Sequence, residues 1–368
     1  MKVSIGSKII SGPWGGGNLF AKNLSEYLTS KGHDVIYDLS EKNIDLILLT
    51  DPRKRSESSS TLNHLEINKY KKYVNPNVVV VQRINECDER KNTKNINSFY
   101  LEASKVADHV VFVSKWLQDI YHDIGMEKEK TSVILAGANP NIFNSYNSAS
   151  YKEDEKLKIV THHWSSHVNK GFKIYKFIDS LLENEEWDKK IEFSYIGNSS
   201  NEYKLKNTNI VAPLSGIELA NELKKNHVYV TGSINEPSGN HHIEASQCGL
   251  PVMYVDSGGI PEYCKDYGLS FELDNFTEKL EFMIKNYNEY KSLLKDYRFN
   301  SNKMCHEFDL LFSKLLNDKS SSRIKHNVST IGYFYLLKNS VVNNLTFFFN
   351  FKTNISQILK KVINKEVI

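Results

Sequence analysis

Residues 228–262 read Val-Tyr-Val-Thr-Gly-Ser-Ile-Asn-Glu-Pro-Ser-Gly-Asn-His-His-Ile-Glu-Ala-Ser-Gln-Cys-Gly-Leu-Pro-Val-Met-Tyr-Val-Asp-Ser-Gly-Gly-Ile-Pro-Glu. The apolar run 228–230 predicts a buried parallel strand, and Gly232, Ser233, Asn235 and Pro237 punctuate a loop after it. Ser238 and Gly239 open a helix through Ile243, Ala245 and Cys248. Gly249 and Pro251 close it before a second strand at 252–255. A strand, loop, helix and strand in this order build a parallel α/β sheet, whose loops at the carboxyl edge bind ligands. The helix start aims free backbone N–H groups at any anion placed there. Glu236 precedes the helix and Glu244 lies about two turns into it, so the two carboxylates reach opposite ends of one elongated ligand. A carboxylate accepts several hydrogen bonds and donates none, which suits paired sugar hydroxyls.

Two solvated glutamates flanking a helix are the plainer reading, and the context decides against it. The exit Cys248-Gly249-Leu250-Pro251-Val252 and the turn Ser257-Gly258-Gly259-Ile260-Pro261-Glu262 frame the pair. Glu236, seven residues, Glu244-Ala245, then these two segments resemble the donor-site signature of retaining GT-B glycosyltransferases of the family 4 type. The likeness is close from 236 to 262 and looser over roughly residues 1–315. It implies an α/β chain of two doubly wound Rossmann-like domains facing across a cleft. It also implies transfer of a sugar from a nucleotide-diphosphate sugar to a hydroxyl, in polysaccharide or glycan assembly. By the resemblance Glu236 faces the donor sugar, Glu244 holds the ribose hydroxyls, and Ser238, Gly239, Asn240 and His241 face sugar and diphosphate.

Composition agrees with two domains: 368 residues, 40% apolar and 11% aromatic, can bury two cores. A net charge of +3 gives no reason to expect nucleic acid. The cysteines Cys87, Cys248, Cys264 and Cys305 lack metal-type spacing and fit a reducing cytoplasm. No signal-peptide stretch opens the chain, and no apolar run of about 18 residues spans a bilayer.

From the start, 3–10 reads as a strand and Ser11-Gly12-Pro13-Trp14-Gly15-Gly16-Gly17 as a glycine-rich loop, with Asn18 capping a helix. Glycine lets backbone approach phosphate closely. A mere tight turn is the alternative; the resemblance implies that Gly15, Gly16 and Gly17 face the diphosphate across the cleft, with Trp14 toward the acceptor. Strands at 34–39, 45–49 and 78–82 and a helix at 62–73 continue the doubly wound pattern. The polar run from Arg83 to Lys91 follows the last strand at the ligand edge. It is either a set of ligand contacts or a solvated charged loop. Members of the resembled family often carry a histidine here; without one, Arg83, Glu86 and Asp88 are acceptor-side candidates by position. A helix at 98–107, a strand at 109–113, a helix capped by Ser114 and a strand at 132–135 complete a first domain, 1–148. Residues 144–156 form the linker.

The second domain, 149–300, opens with a strand at 157–161 and the loop His162-His163-Trp164-Ser165-Ser166-His167-Val168-Asn169-Lys170-Gly171. The resemblance implies an arginine and, five residues on, a Lys-Gly pair that neutralise the diphosphate. Lys170-Gly171 match, and Ser165 stands in the arginine's place. His162, His163 or His167 compensate, or hold a metal; no carboxylate or cysteine accompanies them and the chain has no Asp-x-Asp pair. A metal-independent enzyme without a cofactor is expected, with Lys170 and Glu236 as catalytic groups. Ser165 favours a second reading, a non-catalytic sugar-nucleotide-binding subunit; an epimerase or hydrolase on the same fold is a third. Residues 301–317 predict a helix crossing back to the first domain. The tail, 318–368, mixes aromatics with lysines and either packs on protein or touches an anionic membrane peripherally. The expected partners are a nucleotide sugar and a glycan or lipid-linked acceptor.

Overall fold

The structure is a computed structural model and describes residues 1–10, 15–56, 59–198 and 204–340. The first domain alternates β1 (Lys2–Ile5), α1 (Gly16–Ser30), β2 (Asp34–Ile36), β3 (Leu46–Leu49), α2 (His64–Tyr73), β4 (Val79–Ile84), α3 (Ile96–Ser104), β5 (His109–Phe112), α4 (Lys115–Asp123) and β6 (Thr131–Val133). Its strands pair in parallel in the order β2-β1-β3-β4-β5-β6. β3 and β4 are buried along their whole length, as a parallel sheet covered on both faces requires.

The second domain runs β7 (Leu157–His163), α5 (Phe172–Leu181), α6 (Glu185–Lys190), β8 (Ile191–Gly197), β9 (Asn209–Val211), α7 (Gly216–Leu223), β10 (Val228–Thr231), α8 (Asn240–Gln247), β11 (Val252–Val255), α9 (Pro261–Cys264), β12 (Gly268–Phe271), α10 (Phe276–Lys285) and α11 (Tyr287–Leu293). The order is β12-β11-β10-β7-β8-β9. The chain leaves β7 toward β8 and returns to β10 on the other side, so the order reverses between β7 and β10. A crevice opens at such a switch point. The loops after these two strands, 164–171 and 232–239, therefore flank it, and Ile234 N–H donates to Asn169 O at 2.8 Å between them.

Several expected bounds move for local reasons. β1 stops at Ile5 rather than Ile10, and α1 begins at Gly16 without a side-chain cap. Asn18 is not that cap: its amide bonds the backbone N–H of Ile10 at 2.9 Å and its carbonyl at 2.8 Å, stapling the loop to the helix. β4 extends to Ile84, so Arg83 lies within the strand. α6 escapes pattern reading because it is one short turn-and-a-half capped by Asn184 with no buried residue.

A final helix, α12 (Ser301–Ser320), lies on the first domain and runs past the expected end at 317. Phe308 stacks edge-on against Phe20 at 5.3 Å, and His33 meets Asp309 at 3.1 Å. The beginning of the tail also packs there: Ser329 and Gly332 approach Tyr73, and Tyr335 donates to Glu66 O at 3.0 Å. Residues 330–340 are helical. Tail residues 341–368 and Trp14 lie outside the described residues.

The domains touch through polar contacts with no slack. Glu262 accepts from the Lys115 and Trp116 N–H groups at 2.7 and 2.8 Å, capping α4 from the other domain. Tyr263 donates to Val113 O at 2.6 Å and accepts from Ala136 N–H at 2.9 Å.

Candidate active site

The crevice gathers the signature residues because two backbone positions admit only glycine. Gly171 has φ +96°, and a Cβ there would sit 2.5 Å from the Gly232 backbone, so the β7 and β10 loops interlock behind Lys170. Gly258 has φ +67°, and its Cβ would fall 2.6 Å from Glu236 O; Gly259 N–H donates to that same oxygen at 2.9 Å. The Ser-Gly-Gly turn is thus the shelf that holds Glu236.

Glu236 is buried and carries a cation on each oxygen. Lys170 bonds Oε2, and Arg90, from the first domain, meets Oε1 at 3.1 Å. Burial pushes the Glu236 carboxyl up, but Arg90 and Lys170 outweigh it and hold it at about 2. Burial likewise pulls the Lys170 ammonium below its ordinary range, against the opposing pull of Glu236. The network continues into the first domain with alternating sign. Arg90 meets Glu86 at 3.4 Å, Arg53 meets Glu86 at 3.5 Å, and Arg53 grips both oxygens of Asp51 at 2.8 Å.

Glu244 is buried about one turn along α8 and bonds His162 Nε2 at 3.0 Å. His162 Nδ1 is closed off from solvent and has no partner. Ser238, Gly239 and Asn240 form the start of α8, and Gly16 of α1 abuts it: a Cβ on Gly16 would lie 3.1 Å from the Asn240 amide. Two helix N-termini therefore face one another across the crevice, with Gly17 beside them in open space. The His241 side chain turns away, bonding Thr231 Oγ1 at 3.0 Å and packing on His163 at 4.7 Å, so only its backbone N–H belongs to the helix start.

The three loop histidines do not converge. His162 pairs with Glu244, His163 bonds Tyr175 at 2.5 Å, and His167 Nδ1 accepts from Asn169 N–H at 3.2 Å. Among the described residues no group of three His, Cys, Asp or Glu is arranged to hold a metal ion. Burial drives His163 well below its ordinary value, so it is neutral and cannot supply the charge absent at Ser165.

The acceptor-side candidates divide. Arg83 is buried, lies 4.0 Å over the Phe20 ring and pairs with no carboxylate among the described residues; burial lowers it to about 10. Glu86 is committed to Arg53 and Arg90. Asp88 accepts from Ile96 and Asn97 N–H at 3.0 Å each and from Thr93 Oγ1 at 2.8 Å, which ties its own loop together. Nothing in the pattern of residues 83–91 singles out Arg90, because its partner is 146 positions away in the chain; only the fold brings them together.

The glycosyl transferases group 1 family matches residues 174–298. No curated protein sequence matches the chain. Among solved structures, HepE of Anabaena in complex with UDP-glucose is similar at 14% identity, covering 85% of this chain and 99% of that one, with a TM-score of 0.63. Sucrose-phosphate synthase from Thermosynechococcus elongatus is similar at 14% identity, 86% and 99% coverage and a TM-score of 0.60. The lipopolysaccharide outer core galactosyltransferase WaaB, in its apo form, follows at 13% identity, 85% and 100% coverage and a TM-score of 0.61. At such identities the structural likeness speaks for the fold, and the family match speaks for the second domain. The chain has the GT-B fold, and within its second domain residues 174–298 match the glycosyl transferases group 1 family.

Proposed function

We propose that the chain is a retaining glycosyltransferase that moves a sugar from a nucleoside diphosphate sugar to a hydroxyl acceptor in glycan assembly. One observation carries the reading: buried Glu236 and Glu244 bracket the N-terminus of α8, with Lys170 on the first and the glycine start of α1 opposite. Glu244 accepts from the ribose hydroxyls and Glu236 from the donor sugar. Lys170 and the facing helix starts offset the charge that grows on the leaving diphosphate, an electrostatic role needing no metal. The C–O bond to the diphosphate breaks, the acceptor oxygen bonds to the anomeric carbon from the same face, and the acceptor's proton passes to the leaving phosphate oxygen. HepE is in complex with UDP-glucose, which makes uridine the first base to test.

On this reading the acceptor approaches from the first domain, where Arg83 offers a cation with no carboxylate partner among the described residues. A lipid-linked acceptor at the inner face of a membrane fits the aromatic and lysine content of the tail. No helix among the described residues is long and apolar enough to cross a bilayer.

Incubation with UDP-glucose, UDP-galactose, UDP-N-acetylglucosamine and GDP-mannose, following free nucleoside diphosphate, tests the proposal. Release that depends on an added glycan acceptor supports transfer. Release without acceptor points to a hydrolase, and donor binding without release to a non-catalytic subunit. The metal-free mechanism expects full turnover in excess EDTA; loss restored by Mg²⁺ or Mn²⁺ overturns it.

A further inference from the structure

We infer that Arg90, carried by the first domain, donates to the diphosphate of the donor, so that the donor site is complete only when the two domains meet. The inference rests on the reading of the crevice as a nucleoside diphosphate sugar site. Within the second domain the basic side chain on Glu236 is Lys170, and the Ser165 hydroxyl already accepts from His167 N–H at 3.3 Å. Arg90 reaches the same carboxylate from the other side at 3.1 Å. Two cations thus share one glutamate, and a donor sugar whose hydroxyls donate to Glu236 leaves both free to turn to the neighbouring phosphates.

A guanidinium carries five N–H donors in a fixed fork that suits phosphate. Arg90 directs Nη2 at Glu236 and Nη1 at Glu86, yet its Nε–H is buried and donates to no acceptor among the described residues. A buried donor without an acceptor is costly, and a ligand oxygen supplies what is missing. Its placement does not depend on the ion pair. Asn235 donates to Glu89 O at 3.2 Å and Asn169 to Arg90 O at 3.0 Å, so the loop's own backbone is seated on the second domain.

Calorimetric titration of the full chain with UDP and UMP tests this, using wild type, Arg90→Ala and Arg90→Lys, with GDP and ADP as further probes. Arg90→Ala is expected to weaken UDP about ten- to hundredfold, the loss of hydrogen bonds from a charged group, while UMP changes less than about twofold. Arg90→Lys keeps the charge but not the fork and falls between the two; it decides the matter if the alanine variant fails to melt cooperatively. Unchanged UDP affinity, or an equal loss for UDP and UMP, overturns the assignment and leaves Arg90 a latch between domains. Wild type that binds none of the nucleoside diphosphates overturns the functional reading itself.

Discussion

Glu236 keeps its charge where burial alone would neutralise it, and that makes it separable from Glu244. Replacing Glu236 by Gln removes the counter-charge of both Lys170 and Arg90, so turnover is expected to fall steeply. The melt should also weaken by about 3 to 5 kcal/mol, the cost of breaking a buried pair. Glu244→Gln leaves those pairs intact and is expected to weaken nucleoside diphosphate binding by about 1.5 to 3 kcal/mol. Calorimetry showing equal affinity in the Glu244 variant rules out the ribose assignment. The acid side of the stability profile separates by group as well. Glu236 is depressed to about 2, so its contribution is present above the unfolded carboxyl value and is lost only as pH falls from there toward 2. His163, His241 and His242 are buried and lowered, His242 to about 4, so the unfolded chain binds protons first. Stability is therefore expected to fall between pH 6.5 and 5, by about 2 kcal/mol per histidine at pH 5. A melting temperature flat over that window refutes the buried neutral state. Glu236 and Glu244 stand out in the sequence because they share one short stretch, and Lys170 because it heads a Lys-Gly pair after a strand, although its meeting with Glu236 also needs the fold. Arg90 and the His162 contact to Glu244 do not, since each needs a partner brought by the fold.

The helices α2, α4, α6 and α12 start on a side-chain cap from the residue just before them, and α4 borrows a second. Ser114 accepts from Leu117 N–H at 3.3 Å, while Glu262 of α9 takes the Lys115 and Trp116 N–H groups. The Ser114 cap is visible in the sequence as a serine before an amphipathic run. The Glu262 cap is not, because Pro261-Glu262 reads equally well as the first turn of its own helix. Glu262→Ala is expected to cost about 1 kcal/mol, the usual worth of an N-cap. Hydrogen exchange should quicken at the Lys115 and Trp116 amides and spread to the Tyr263 contacts, which hold the same interface. Exchange confined to α9, with α4 unaffected, sinks the idea that one carboxylate couples the two domains. The same principle explains which elements were readable. Continuous apolar runs such as 46–49 and 78–81 declare buried parallel strands, whereas α6, with no buried residue, leaves no periodic trace.

At the scale of the whole molecule, the order of strands and the two domains follow from alternating patterns, but the ending of the chain does not. α12 was legible as an amphipathic stretch; the docking of residues 324–340 was not, since Val328, Tyr335 and Leu336 meet the α2 face only in three dimensions. That docking divides the tail. A chain ending at Asp318 uncovers part of this apolar face and is expected to melt lower than the full protein, whereas one ending at Ser340 is expected to melt with it. The docked segment leaves Ile331, Tyr333, Phe334 and Leu337 exposed, and the sequence beyond it adds Lys352, Lys360, Lys361 and Lys365. Aromatics beside lysines suit an anionic bilayer surface, at about 1 kcal/mol per lysine near it. Full-length protein is accordingly expected to sediment with phosphatidylserine vesicles at low salt and to be released as salt rises. The chain ending at Ser340 should bind UDP as before but lose the salt-sensitive part of that sedimentation. Replacing Tyr333 and Phe334 by Ser should weaken vesicle binding without moving the melt, because both rings are exposed. Full-length protein that stays in the supernatant at low salt excludes the membrane contact and leaves the exposed face of 331–337 to a protein partner.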